Sequence, residues 1–139
     1  MNYVYESIFV GAYCSIIYFL LGLGINNIYC ALFLTGFIKH FCGYLLGLHT
    51  AYCNYGSACN NIKKHNIKTA FYSNSLLLES IIEGFLFLGI GLIFILICKK
   101  IGIWTIFFIA VLLHIVAENT GVHTLFCKTR CRTKQNKVI

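Results

Sequence analysis

Four long apolar stretches, separated by short polar or basic segments, dominate the pattern of this chain. They cover roughly residues 7–25, 28–52, 71–98 and 102–126. Each stretch reaches the length of about 20 residues that a membrane-spanning helix needs. The pattern predicts an all-α fold, a polytopic transmembrane helical bundle of four spans. Residues 1–126 would form this domain, and residues 127–139 a basic tail.

Two features of the first half leave room for other topologies. Lys39 and His40 interrupt the second stretch, so an alternative has three spans with residues 28–52 as a re-entrant segment. The first stretch could also be a signal peptide. We favour a true span, because Glu6 is the only charged residue among the first six and no small-residue cleavage site stands out after Leu23.

The composition agrees with a membrane protein. The chain has 139 residues, of which 59% are hydrophobic and 11% charged, and it has no proline. An ordinary soluble domain carries about 25% charged residues, so the composition disfavours a water-facing globule. The aromatic content of 16% excludes a disordered chain, since such chains are polar and poor in aromatic residues.

The charge distribution predicts the orientation. The chain has eleven basic and four acidic residues, which give it a net charge of +7. Most basic residues lie between the second and third stretches or in the tail: Lys63, Lys64, Lys68, Lys128, Arg130, Arg132, Lys134 and Lys137. Basic segments stay cytoplasmic and contact anionic headgroups, so both termini are predicted to be cytoplasmic, although Lys99 and Lys100 favour the opposite. Nucleic acid is disfavoured as a partner, because the tail is short and has no interleaved aromatic residues.

Ionisable residues within the stretches are the most informative feature. Each costs about 2.5–3.5 kcal/mol on insertion scales, so they are expected to face one another. The predicted cluster contains His40, Glu79, Glu83, His114 and Glu118, with His49 and His123 at its mouth. Within a helix, an i,i+4 spacing places Glu79 with Glu83, and His114 with Glu118, on one face.

The spacing of His40 and His49 raises a conflict. Nine residues separate them, which is about half a turn out of phase in an ideal helix. Either one histidine alone faces the cluster, or the segment GYLLG at residues 43–47 bends the helix.

Several chemistries suit a cluster of histidine and glutamate in lipid. Imidazole and carboxylate are ligands for zinc or non-haem iron, with Glu79 or Glu118 as a general base. A pair of histidines could ligate haem. A proton or ion path is the usual role of intramembrane carboxylates and histidines. The alternative without a ligand is a polar network that fixes helix register, in which Lys39 neutralises one glutamate.

The cysteines suggest a second candidate site. Cys53, Cys59, Cys127 and Cys131 flank the two basic segments on one predicted side. Four thiols there could form a zinc knot of nonstandard spacing. Disulfides are expected if that side is oxidising, and palmitoylation of Cys127 or Cys131 is a third option.

Three segments carry a resemblance to a known group. They are GFIKHFCGYLLGLHTAYCNYGSAC, the ES..EG pair and HIVAENTGVHTLFC, within residues 36–131. Together they resemble uncharacterised multi-pass membrane proteins encoded by large cytoplasmic DNA viruses. The resemblance implies a host internal membrane or the virion membrane as the location, and it names no activity.

Two functions of different class follow from the sequence. One is a structural or assembly role, with loop and tail touching headgroups, a protein partner or a second copy of the chain. The other is a metal- or haem-dependent membrane enzyme or carrier that uses the His/Glu cluster. Ion conduction is a third.

Overall fold

The computed structural model describes residues 2–56 and 76–127, and these residues form helices and connections without any strand. The helices are α1 (Tyr3–Gly22), α2 (Ile28–Leu45), α3 (Leu48–Tyr55), α4 (Leu76–Cys98), α5 (Ile103–Asn119) and α6 (Val122–Cys127). The predicted all-α class is confirmed for this part of the chain.

Local sequence explains where the helices begin and end. The side-chain oxygens of Asn2 and Asn27 accept backbone N–H groups at the starts of α1 and α2, as preferred N-cap residues do. Gly47 and Gly121 have positive φ angles of 72° and 77°. Glycine adopts this left-handed conformation without steric cost, so the chain turns there and starts the short helices α3 and α6.

Three helices, α1, α2 and α4, are long and apolar enough to cross a membrane, and α5 is a shorter apolar helix of 17 residues. At 1.5 Å per residue α5 measures about 25 Å, slightly less than a hydrocarbon core of about 30 Å. The outer surface is apolar as well: Leu96 is 81% exposed and Trp104 76%. These features are those of an integral membrane bundle.

The second and fourth apolar stretches each contain two helices in the structure. The second divides into α2 and α3 at Gly47, and the fourth into α5 and α6 at Gly121. Hydropathy cannot show such a break, because the residues on both sides of the glycine are apolar. Of the third predicted stretch, residues 71–75 lie outside the described residues.

Helix pairing determines where the core lies. α1 packs mainly against α5, and α2 mainly against α4. A Cβ added at Gly11 would lie 2.8 Å from the ring of Phe107, and one at Gly84 would lie 2.8 Å from the ring of Phe33. Glycine therefore permits close approach in both helix pairs. An apolar core fills one end of the bundle: Cys14, Leu32, Phe87, Ile106, Ile109 and Ala110.

A disulfide joins the short helices at the other end of the bundle. Cys53 of α3 is bonded to Cys127 of α6, and both residues are fully buried. These two cysteines therefore cannot be thiolate ligands of a zinc knot, and Cys127 cannot be palmitoylated in this form. Cys59 and Cys131, the other members of that predicted thiol site, lie outside the described residues.

We expect this disulfide to stabilise the bundle. Replacing Cys53 and Cys127 together by alanine removes a link across 74 residues, which should cost about 2–4 kcal/mol of unfolding free energy. Thermal unfolding in detergent, followed by circular dichroism, measures the loss. Cys98→Ala is the control, because Cys98 is a free, exposed cysteine. Equal midpoints for the double variant and the control would contradict the expectation.

Candidate functional site

A cavity of about 940 Å³ lies among the helices at the disulfide end of the bundle. Residues from all six helices line it. Most of the wall is apolar, and its ionisable members are Glu6, Lys39, His40, His49, Glu79, Glu83, His114 and His123. Glu118 hydrogen-bonds at the edge of this group. We call these nine residues the polar layer.

One part of the polar layer lies between α2 and α4. His40 Nε2 is 3.1 Å from Glu79 Oε2, and His40 Nδ1 is 3.7 Å from Glu83 Oε2. Lys39 forms an ion pair with Glu83. We expected Lys39 to pair with one of the glutamates, and the structure shows this contact. His40 has a carboxylate beside each ring nitrogen, which fixes its orientation.

The other part lies among α3, α5 and α6. The Tyr52 hydroxyl lies 2.9 Å from Glu118 Oε2 and 2.9 Å from His123 Nδ1. The same oxygen of Glu118 is 3.0 Å from His123 Nδ1. Tyr52, Glu118 and His123 thus form a closed triangle of short polar contacts.

His114 completes this part of the layer. It is 5% exposed, and its ring centroid lies 4.5 Å from that of His123. Its Nε2 is 3.8 Å from Glu6 Oε2 and makes no hydrogen bond to any described residue. This buried nitrogen at the cavity wall thus meets the Glu6 carboxylate at a distance longer than a hydrogen bond.

The geometry suits a metal ion at one position. His114, Glu118 and His123 each offer a ligand atom, and these atoms lie within 4.8 Å of one another. Ligands at 2.0–2.1 Å from a tetrahedral ion are about 3.3 Å apart, so modest side-chain movement would bring all three onto one ion. Two histidines with one glutamate form a known catalytic zinc set, and two histidines with a carboxylate also bind iron(II).

The structure brings together all seven histidines and glutamates that the sequence predicted for the cluster and its mouth. They divide into one group around His40 and another around His123. His40 and His49 both reach the cavity, with ring centroids 4.5 Å apart. The chain reversal at Gly47, the last residue of GYLLG, makes this possible.

Sequence reasoning missed Glu6 and Tyr52 as members of the site. Glu6 lies near the start of α1 and is only 2% exposed, whereas its position suggested a charged residue outside the membrane. A signal was present in the sequence: residues 6–11 read ESIFVG and residues 79–84 read ESIIEG. Because Glu79 is a cluster member, the repeat of ESI..G indicates the same role for Glu6.

The basic residues predicted to contact headgroups lie outside the described residues. They are Lys63, Lys64, Lys68, Lys128, Arg130, Arg132, Lys134 and Lys137. Their role stays a prediction.

Comparison of the chain with protein-family models, curated proteins and solved structures gave no significant match. The resemblance to viral multi-pass membrane proteins therefore stays a prediction, and the function has to be argued from the site.

The part-buried ion pair of Lys39 and Glu83 leads to a double-variant prediction. Lys39→Leu or Glu83→Val alone should cost up to about 3–5 kcal/mol, because each leaves one largely buried charge without the opposite charge of the pair. The double variant should recover most of this loss, since apolar pairs often replace buried ion pairs without cost. Unfolding of the four proteins in detergent measures the coupling, and additive losses would contradict it.

Proposed function

We propose that this protein is a small integral membrane protein that binds one divalent transition-metal ion, zinc in the first instance, through His114, Glu118 and His123. The ion would lie beside the cavity. There it would help the protein either to transform or to transfer a molecule that enters from the lipid phase. The observation that carries the proposal is the convergence of these three ligand atoms beside the cavity.

The surroundings of the three ligands support a metal site. Tyr52 donates to the carboxylate of Glu118, and such outer partners orient ligands and tune their affinity. Three protein ligands leave a coordination position open, as in catalytic zinc sites. The apolar wall of the cavity would exclude water and strengthen the electrostatic effect of the ion on a bound molecule.

A structural or assembly role is the second candidate. The contacts of Lys39, His40, Glu79 and Glu83 tie α2 to α4, and they would fix the register of two helices in lipid without any ligand. That role accounts for the group around His40. It does not require the convergence of His114, Glu118 and His123 on one point.

Conduction and haem binding are supported less well. Beyond the polar layer, the described core is apolar, with Leu32, Phe87 and Ile106 fully buried, so ionisable groups line only one end of the bundle. Haem binding is disfavoured because the cavity histidines pair with each other. The ring centroids of His40 and His49 lie 4.5 Å apart, as do those of His114 and His123. Neither pair leaves a gap for a macrocycle between its rings.

For the topology we propose four spans, with α5 as the fourth and both termini cytoplasmic. The disulfide favours an oxidising compartment for this end, whereas the basic loop and tail favour the cytoplasm. Charge acts during insertion, before the disulfide can form, and Cys53 and Cys127 are buried away from reductants. The location suggested by the viral resemblance, a host internal or virion membrane, is part of this proposal.

Metal content tests the proposed function. Protein purified in detergent and supplied with Zn²⁺ should hold one equivalent by elemental analysis. His114→Ala and His123→Ala should lose it, because each removes a ligand. His49→Ala is the matched control, since His49 is a cavity histidine outside the ligand set. Folded wild-type protein without any bound metal, or loss of metal in the control alone, would refute the proposal.

Tyr52→Phe separates a tuned metal site from adventitious binding. Removing the hydroxyl that donates to Glu118 should weaken Zn²⁺ affinity by about 10–100-fold, as for other outer-shell partners. Competition with a chromophoric chelator measures the affinity. An unchanged affinity would mean that Tyr52 does not support the ligand set.

Thiol labelling tests the orientation. Cys98 is exposed beside the turn that holds Lys99 and Lys100. With cytoplasmic termini, a membrane-impermeant maleimide should label Cys98 from the non-cytoplasmic face, and Cys98→Ala should reduce that labelling. Labelling of Cys98 only after the membrane is opened would reverse the assignment.

A further inference from the structure

The two halves of the chain repeat each other at the residues of the site. Besides the ESI..G pair, residues 40–53 read HFCGYLLGLHTAYC and residues 114–127 read HIVAENTGVHTLFC. Both segments follow the pattern H-x6-G-x-H-T-x2-C. Each half therefore supplies a first helix with ESI..G, a second helix that ends near a histidine, a glycine turn, and a short helix with the second histidine and a cysteine.

The contacts made by the first histidines obey this repeat. His40 Nε2 is 3.1 Å from Glu79 Oε2, and its counterpart His114 Nε2 is 3.8 Å from Glu6 Oε2. In both cases the glutamate comes from the ESI..G segment of the other half. The helix pairing agrees, because the first helix of each half packs against the second helix of the other.

The histidine pairs are also equivalent. The ring centroids of His40 and His49 lie 4.5 Å apart, and those of His114 and His123 also lie 4.5 Å apart. The interplanar angles are 56° and 53°. Both pairs are brought together by a glycine with positive φ.

An aromatic residue of each short helix contacts a histidine of the other half. Tyr52 of the first half lies 5.3 Å from His123 of the second, and Phe126 of the second lies 5.1 Å from His49 of the first. Cys53 and Cys127, which follow these two aromatic residues, are counterparts and are bonded to each other. The disulfide therefore joins equivalent points of the two halves.

The repeat makes its departures informative. Lys39 and Glu83, which pair with each other, correspond to Leu113 and Val10. The helix pair α1 and α5 thus has apolar residues where the pair α2 and α4 has an ion pair, and the architecture does not require that ion pair. Because both partners differ together, the ion pair is a single feature that distinguishes the pair α2 and α4.

The departure that concerns the metal is at Glu118. Its counterpart is Tyr44, whose ring centroid lies 6.3 Å from that of His49. Glu118 contacts the equivalent histidine, His123, at 3.0 Å. Both positions therefore reach the second histidine of their own half, and only one of them holds a metal ligand.

We propose that the bundle contains two equivalent half-sites, and that the residue at position 44 or 118 decides which half binds a metal ion. This inference rests on the proposed function. The half-site of His40 and His49 has the same ring geometry as that of His114 and His123 and lacks the carboxylate at the position of Tyr44. It would take the same class of ligand, a divalent transition-metal ion, once a carboxylate replaces Tyr44.

An exchange of the two residues tests the inference. Zn²⁺ is added to detergent-purified full-length protein, and bound metal is measured after gel filtration. Wild type should hold one equivalent, Tyr44→Glu two, and Glu118→Tyr none, with affinity lowered by more than about 100-fold. The exchange variant, Tyr44→Glu with Glu118→Tyr, should again hold one. In that variant His49→Ala should release the metal and His123→Ala should not.

The outcomes separate this inference from the proposed function. Wild type without metal refutes the proposed metal site itself. A different pair of results refutes the equivalence of the half-sites. In that case wild type holds one equivalent that Glu118→Tyr removes, but a folded Tyr44→Glu variant still holds only one equivalent. If Tyr44→Glu fails to fold because a carboxylate is added at a half-exposed position, Tyr44→His supplies a neutral ligand there, and one equivalent in that variant likewise refutes the inference.

Discussion

The pairing of ionisable side chains across helices, in a bundle whose outer surface is apolar, is the constraint on which the rest of this structure depends. A charged group inside a span costs several kcal/mol unless a partner compensates it. His40 meets Glu79 of a different helix, and Lys39 meets Glu83. Each such contact requires α2 and α4 to keep one register, so the polar layer also determines how the helices are paired.

The cavity is a consequence of the same arrangement. The apolar core fills the end of the bundle away from the polar layer. At the other end, the glycine turns at positions 47 and 121 fold α3 and α6 back over the bundle, and the disulfide holds them there. A wide apolar space with polar groups on its wall remains beneath them, which is the usual form of a small-molecule site.

The repeat explains why the site has two similar groups and one candidate ion position. A symmetric framework produces two histidine pairs with the same geometry, and single substitutions then give them different properties. The group around His40 has an ion pair of Lys39 and Glu83, whereas the group around His123 has the carboxylate of Glu118 with the hydroxyl of Tyr52 beside it. The internal counterparts serve as a comparison that separates what the fold requires from what a function requires.

The sequence by itself determined the helical class, the apolar stretches and most of the polar cluster, because hydropathy and the cost of charge in lipid are properties of residue composition along the chain. It also contained the ESI..G signal for Glu6, since a repeat is visible without coordinates. Only the tertiary structure decided that the second and fourth stretches break at Gly47 and Gly121. It also decided that Cys53 pairs with Cys127 and that Tyr52 reaches Glu118. These outcomes depend on which helices pack together, and that information is not contained in any single helix.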